Sequence, residues 1–229
     1  GILLSSAIKK YADFFGVACG EKNILLTNND SAYETAISLI QKGINIEAII
    51  DNRESIDSKL IYEVEKNNIK IFKGFTVVNT SGYKKINGVS IMELSKDGQK
   101  VIGSKINLSC DCLGISGGWT PAVHLFTQSG GKLQFRDEDQ VFIPKTYPSD
   151  QISVGSCNGD LELDKIILNI SKSLKEFLNI KKTDYENIEV LSSMNKSKRN
   201  IWLLPSDKII GKTKPFIDYQ NDATAKDIK

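Results

Sequence analysis

The chain is poor in arginine and histidine and has no long apolar run, and each shortage removes a class of function. Arginine stands only at 53, 136 and 199, so the positive charge is almost all lysine. With a formal net charge of +2, the composition predicts neither nucleic-acid binding nor attraction to a membrane surface. No stretch reaches the ~18–20 apolar residues of a membrane span, and no secretory signal pattern is read. The expectation is a cytoplasmic protein with no membrane or nucleic-acid partner. The single histidine, His124, cannot anchor a metal alone. Cysteines at 19, 110, 112 and 157 give C-x-C but no C-x-x-C and no second pair, so no metal site is expected. Residues 106–115 read as one strand, in which alternation puts Cys110 and Cys112 on one sheet face as buried thiols.

What remains is ordinary globular material: 229 residues, 40% apolar and 25% charged, enough for one large or two small domains. Within it, residues 23–51 read as strand, helix, strand. The layout is that of a dinucleotide-binding (Rossmann) half, with Asp51 about 20 positions past the turn, where a ribose hydroxyl is held. The turn itself lacks the glycines: Thr27-Asn28-Asn29-Asp30-Ser31-Ala32 stands where G-x-G-x-x-G/A belongs, and only Ala32 is a permitted residue. Asn29 puts a side chain where pyrophosphate touches backbone. Asp30 adds a carboxylate, and two unit charges about 4 Å apart repel by roughly 4 kcal/mol at an effective dielectric near 20. Ser31-Ala32-Tyr33-Glu34 reads as a capping box that takes up the free amides of the helix. The turn is thus either a weak phosphate site using Asn29 and Asp51, or a βαβ unit sealed by its own side chains. Arg53 either meets a 2′-phosphate or is a solvated loop charge.

The rest of the chain supplies the frame. A short amphipathic helix is expected over 5–15 and another over about 56–66, with strands at 69–73, 75–80, 86–94 and around 100–102 before the strand 106–115. Residues 22–116 therefore form one α/β unit with an antiparallel β-meander inserted before its last strand. Beyond it, Gly130-Gly131 and Arg136-Asp137-Glu138-Asp139 read as turn and loop, Val141–Pro144 as an edge strand, and Ile152-Ser153-Val154 as a strand. That strand enters Gly155-Ser156-Cys157-Asn158-Gly159, followed by a helix over about 161–178. Either a ligand approaches the backbone at Gly155 and Gly159, or the turn needs positive φ there. Residues 181–229 read as a linker, in which Trp202 and Phe216 have the size to pack.

A nucleotide-type unit with a β-meander, ending in Ser116-Gly117-Gly118-Trp119-Thr120-Pro121 and followed by a returning strand–turn–helix, is similar to the pyridine nucleotide–disulfide reductase architecture. There one nucleotide domain is nested in the second half of a larger FAD/NAD(P)-binding domain. Three stretches narrow the resemblance: Leu26–Tyr33, Ser116–Ser129 and Phe216–Ile228. Together they resemble the α-subunit family of heterotetrameric sarcosine oxidases along the whole chain. The resemblance implies residues 1–21 as the end of the outer domain and a connecting helix, 22–116 as the nested domain, 117–180 as the returning outer half, and 181–229 as a linker to a folate-binding, aminomethyltransferase-like domain. It implies NAD in the outer domain, with Gly117, Gly118, Gly155, Ser156, Cys157, Asn158 and Gly159 as candidate contacts. It also implies FMN at the interface with the β subunit, where His124 is a candidate, FAD and the small amine substrate in the β subunit, γ and δ partners, and tetrahydrofolate as co-substrate. No catalytic residue is assigned to this stretch. The family's iron–sulfur relatives start a Cys-x-Cys where this chain has Tyr219-Gln220-Asn221, so no cluster is expected. The other readings are an NAD(P)H-dependent FAD reductase of the disulfide-reductase class and a non-catalytic scaffold.

Overall fold

The computed structural model describes residues 1–56, 59–148, 151–179, 201, 203–207, 216–218, 223–224 and 227. The chain divides into two compact units, Gly1–Gly117 with Ile201–Lys229, and Gly118–Asn200.

In the first unit, β2 (Asn23–Thr27) is buried at every position. A near-continuous apolar run of this kind belongs inside a parallel sheet covered on both faces. β3 (Ile46–Asp51) and β4 (Lys70–Lys73) extend the sheet on one side of β2, while β8 (Cys112–Ser116) and β1 (Ile2–Leu4) extend it on the other. The five-stranded order is β1-β8-β2-β3-β4, all neighbours parallel. Helices α1 (Ser5–Phe15), α2 (Ser31–Gln41) and α3 (Lys59–Lys66) present apolar stripes to one face. Ala32, Tyr33, Ala36 and Leu39 of α2 meet Leu25, Ile49 and Cys112 in that core. Gly16, left-handed at φ 63°, ends α1. The other face is covered by a three-stranded meander, β5 (Phe75–Gly82), β6 (Ile86–Leu94) and β7 (Val101–Ser109). There Ile24, Leu26, Ile50 and Leu113 pack on Ile86, Val89 and Ile91. The α/β class with an antiparallel meander is therefore as expected.

The run 106–115 is two strands, which corrects the reading of the cysteines. It breaks at Cys110-Asp111 because the Asp111 carboxylate turns aside to accept the backbone N–H of Lys22 at 2.8 Å and of Glu21 at 3.1 Å. Both thiols are buried, yet Cys110 lies in the meander-side core and Cys112 in the helix-side core. Residues 1–21, expected at the end of an outer domain, sit in the first unit, with Ile2, Leu3 and Leu4 in register with Leu113, Gly114 and Ile115.

The second unit holds α4 (His124–Gln128), a hairpin of β9 (Lys132–Arg136) and β10 (Val141–Thr146), a 3₁₀ turn at Gly155–Asn158, and α5 (Leu163–Leu178). β9 carries no clear strand signal: its Lys-Leu-Gln-Phe-Arg is half polar, only Arg136 falls in an expected loop, and the pairing with β10 makes it a strand. The expected strand 152–154 is extended without a ladder partner among the described residues, Val154 having φ −136° and ψ 157°. Of the expected linker, β11 (Phe216–Asp218) and β12 (Ala223–Thr224) pair antiparallel. Trp202 and Tyr219-Gln220-Asn221 lie outside the described residues.

Candidate functional site

In open α/β sheets ligands bind beyond the carboxyl ends of the strands, where the chain order reverses. Here that point lies between β2, which leads through α2 to β3, and β8, which arrives from the meander. The crevice is bridged by hydrogen bonds. Asn28 donates through Nδ2 to the Gly117 carbonyl at 3.0 Å and through its backbone N–H to Ser116 at 3.3 Å. Asn29 donates through Nδ2 to the Ser116 carbonyl at 3.1 Å, and the hydroxyls of Ser31 and Ser116 lie 2.9 Å apart.

The Ser31, Tyr33 and Glu34 amides at the start of α2 are likewise engaged, though not by the expected capping box. The N-cap is Asp30, with no side-chain cap bond. Asn29 Oδ1 accepts from the Ser31 N–H at 3.0 Å and from its hydroxyl at 2.6 Å. The N–H groups of Tyr33 and Glu34 bond the Asp30 carbonyl. Glu34 is exposed. Moving the cap one residue toward the N-terminus removes the reciprocal Ser31–Glu34 geometry.

Arg53 corrects the reading as a solvated charge: it is 3% exposed. Its Nη1 reaches Asp30 Oδ1 at 2.7 Å, its Nη2 reaches Asp51 Oδ2 at 2.8 Å, and its Nε reaches Asp51 Oδ1 at 3.0 Å. Asp51 is 0% exposed and also accepts the Tyr33 hydroxyl at 2.9 Å. Burial works to lower the Arg53 pKa, but Asp51 and Asp30 outweigh it and hold the guanidinium above its ordinary value. Burial first, then Asp51, pushes the Tyr33 phenol well above the usual range. The carboxylate that would face a ribose therefore points into a closed cluster. Sequence reasoning placed Asp30, Asp51 and Arg53 at the right turn but missed their mutual contact. The signal was an arginine two residues past the ribose carboxylate and an aspartate in the glycine loop.

The second unit gives the other candidate. Gly155 and Gly159 have φ 73° and 85°, so the turn itself requires glycine at both. A Cβ on Gly159 would lie 2.8 Å from Arg136 Nη2 and 2.9 Å from Ile143 Cγ2, so its close backbone approach is to its own hairpin. Arg136, paired with Asp139, donates to the Gly159 carbonyl at 3.0 Å. Tyr147 donates to Asn158 Oδ1 at 3.0 Å, and the Cys157 thiol to the Val154 carbonyl. Ser156 is exposed. Gly117 and Gly118 are exposed at the boundary of the two units, the first holding Asn28 and the second at φ 122°. His124 is exposed at the start of α4. No group of three or more His, Cys, Asp or Glu suited to a metal occurs among the described residues, and no helix there is long and apolar enough to cross a membrane.

No family model matches the chain. Curated relatives do. The sarcosine oxidase α subunit of Corynebacterium sp. (strain U-96) is 27% identical over 235 residues, covering 100% of this chain and 24% of the relative. That of Rhizobium meliloti (strain 1021) is 23% identical over 239 residues, covering 100% and 22%. Among solved structures, thioredoxin reductase of T. acidophilum superposes with a TM-score of 0.56 at 18% identity, over 78% of this chain and 56% of that one. This likeness shows that the chain shares the fold of that reductase. The chain spans about a quarter of the curated relatives' length. Along its whole length it is similar to an internal stretch of sarcosine oxidase α subunits.

Proposed function

We propose that this chain is the dinucleotide-binding and structural part of the α subunit of a multi-subunit sarcosine oxidase, and that it holds no amine-oxidation site. The single observation that carries the reading is the similarity to those subunits over 100% of the chain. In the reaction, sarcosine, oxygen and tetrahydrofolate give glycine, methylene-tetrahydrofolate and hydrogen peroxide. The methyl carbon leaves the amine, and its two electrons reach oxygen. FAD held by a β subunit and FMN at the α/β interface, beside His124, would supply the redox chemistry, with γ and δ subunits completing the assembly. Tetrahydrofolate belongs to a domain beyond this stretch.

The part assigned to these residues is binding. NAD lies in the outer dinucleotide domain, with 117–180 as its returning half and the turn Gly155-Ser156-Cys157-Asn158-Gly159 against the ligand; Gly117 and Gly118 are further candidate contacts. The fit is physical. An extended 152–154 leads into a turn with an exposed Ser156, and then into a 16-residue helix that buries none of its residues. Leu163, Leu174, Phe177 and Leu178 of α5 are each about half exposed, the pattern of a helix made to cover a sheet. His124, exposed, is assigned to the FMN interface.

The test is the assembled enzyme, assayed for sarcosine-dependent peroxide and for NAD released on denaturation. Ser156→Asp adds negative charge beside the bound phosphates and should empty the NAD site by at least tenfold, whereas Gly159→Asp would break the turn itself. Retention of NAD in Ser156→Asp refutes the placement, and absence of sarcosine turnover refutes the reaction.

A further inference from the structure

We infer that the switch-point crevice of the first unit is filled by the chain itself, with Arg53 as an internal cation in the nucleotide's place, so that this unit takes no nucleotide. The inference stands on the fold and the turn geometry, not on the assignment of NAD to 155–159, and either can fail alone.

A dinucleotide asks three things of this fold: a carboxylate for the ribose, free amides for the phosphates, and an open crevice between the two diverging strands. The carboxylate and the crevice are taken, and so are the amides of Asn28, Asn29, Ser31, Tyr33 and Glu34. Both Asp51 oxygens are held by Arg53, one also by Tyr33 and the other also by the Arg53 N–H. A ribose hydroxyl could reach Asp51 only by displacing the guanidinium, which would strand Asp30 as a second buried anion. At the phosphate position the Asn29 N–H bonds Thr27 Oγ1, and the Ser31 N–H bonds Asn29 Oδ1. The Asp30 carboxylate itself stands there, so a phosphate meets an anion rather than a donor. At the mouth, Asn28, Asn29 and Ser31 cross to Ser116 and Gly117.

The closure also carries structure. The Asn52 N–H bonds the Thr27 carbonyl, Asn52 Nδ2 bonds the Phe75 carbonyl at 2.8 Å, and the Gly74 N–H bonds the Arg53 carbonyl. Residues 51–53 thus tie the first turn to the start of the meander. An arriving nucleotide would have to open that joint as well as the ion cluster.

Hydrogen exchange of the full-length protein tests this locally. Peptides covering 27–34, 51–54 and 115–117 should exchange at the same rate with and without millimolar NAD⁺, NADP⁺ or ATP. In Arg53→Met the first two should exchange about a hundredfold faster or more, because two buried carboxylates lose their cation. Arg53→Lys, which keeps the charge but not the fork, should fall between. Nucleotide-dependent protection of these peptides in the wild-type protein overturns the inference, as does unchanged exchange in Arg53→Met. The wild-type arm decides even if the variants do not fold. Peptides over 155–159 report separately on the proposed NAD position.

Discussion

Removing the Arg53 cation should be among the costliest single changes in the first unit. Arg53 is 3% exposed, Asp51 0% and Asp30 7%, so Arg53→Met leaves two carboxylates in the interior with no counter-charge. Breaking a buried ion pair from one side costs about 3–5 kcal/mol, a large part of a typical stability of roughly 5–15 kcal/mol. With a urea slope of about 2 kcal/mol per molar, the midpoint should fall by about 2 M. The assay is urea unfolding followed through exchange of the β2 and β3 amides, so that it reports this unit alone. Replacing all three charges (Arg53→Met, Asp30→Asn, Asp51→Asn) should cost less than Arg53→Met alone. A loss under about 1 kcal/mol, or a triple variant no more stable than Arg53→Met, would refute the account of Arg53 as the counter-ion of a buried cluster.

Gly114→Ala should destabilise the first unit by about 1–3 kcal/mol, measured as a lower urea midpoint, because the new Cβ falls 2.5 Å from Leu25 Cδ2 and 2.9 Å from Ile8 Cδ1. Asp111→Ala should cost about 1 kcal/mol at neutral pH through two lost backbone bonds. Burial pulls the Asp111 pKa up, but the Lys22 and Glu21 amides hold it below the usual carboxylate range. Its contribution is therefore complete above about pH 4 and fades as the pH drops through the lowered folded value, so mutant and wild type should converge in acid. Burial pushes the Cys112 thiol up to about 11 and raises Cys110 as well. Native alkylation at mildly alkaline pH should therefore label Cys157 while sparing Cys110 and Cys112, and urea should release both. Labelling of Cys112 in the folded protein would contradict the burial.

Local pattern carried much of the fold into view. Helix 5–15 and strand 86–94 were legible because Gly16 and flanking turn residues punctuate strongly periodic runs. The break at Cys110-Asp111 was not, because its cause is a carboxylate bonding amides at Glu21 and Lys22, far away in sequence. β9 was hidden for a similar reason: Lys132–Arg136 has weak alternation and becomes a strand through its partner β10. Residues 152–154 show the converse, since this strand-forming run finds no ladder partner among the described residues. At the turn, the missing glycines were visible and raised doubt about phosphate. The destination of Asn29, Asp30 and Arg53 was not, since their partners include Ser116 and Asp51, which only the folded sheet brings together.

The bridged crevice has a consequence for how this unit responds to its surroundings. A nucleotide fold that fills with ligand draws stability from mass action, about 2.7 kcal/mol at a hundredfold excess over Kd, and loses it when the metabolite is depleted. Here Asn28, Asn29 and Ser31 close the gap to Ser116 and Gly117 from within the same polypeptide. The equivalent contacts are present at a fixed stoichiometry from the moment of folding. The melting behaviour of the first unit should therefore be indifferent to the nucleotide content of the cell, giving any cofactor bound elsewhere a framework whose rigidity does not vary with supply.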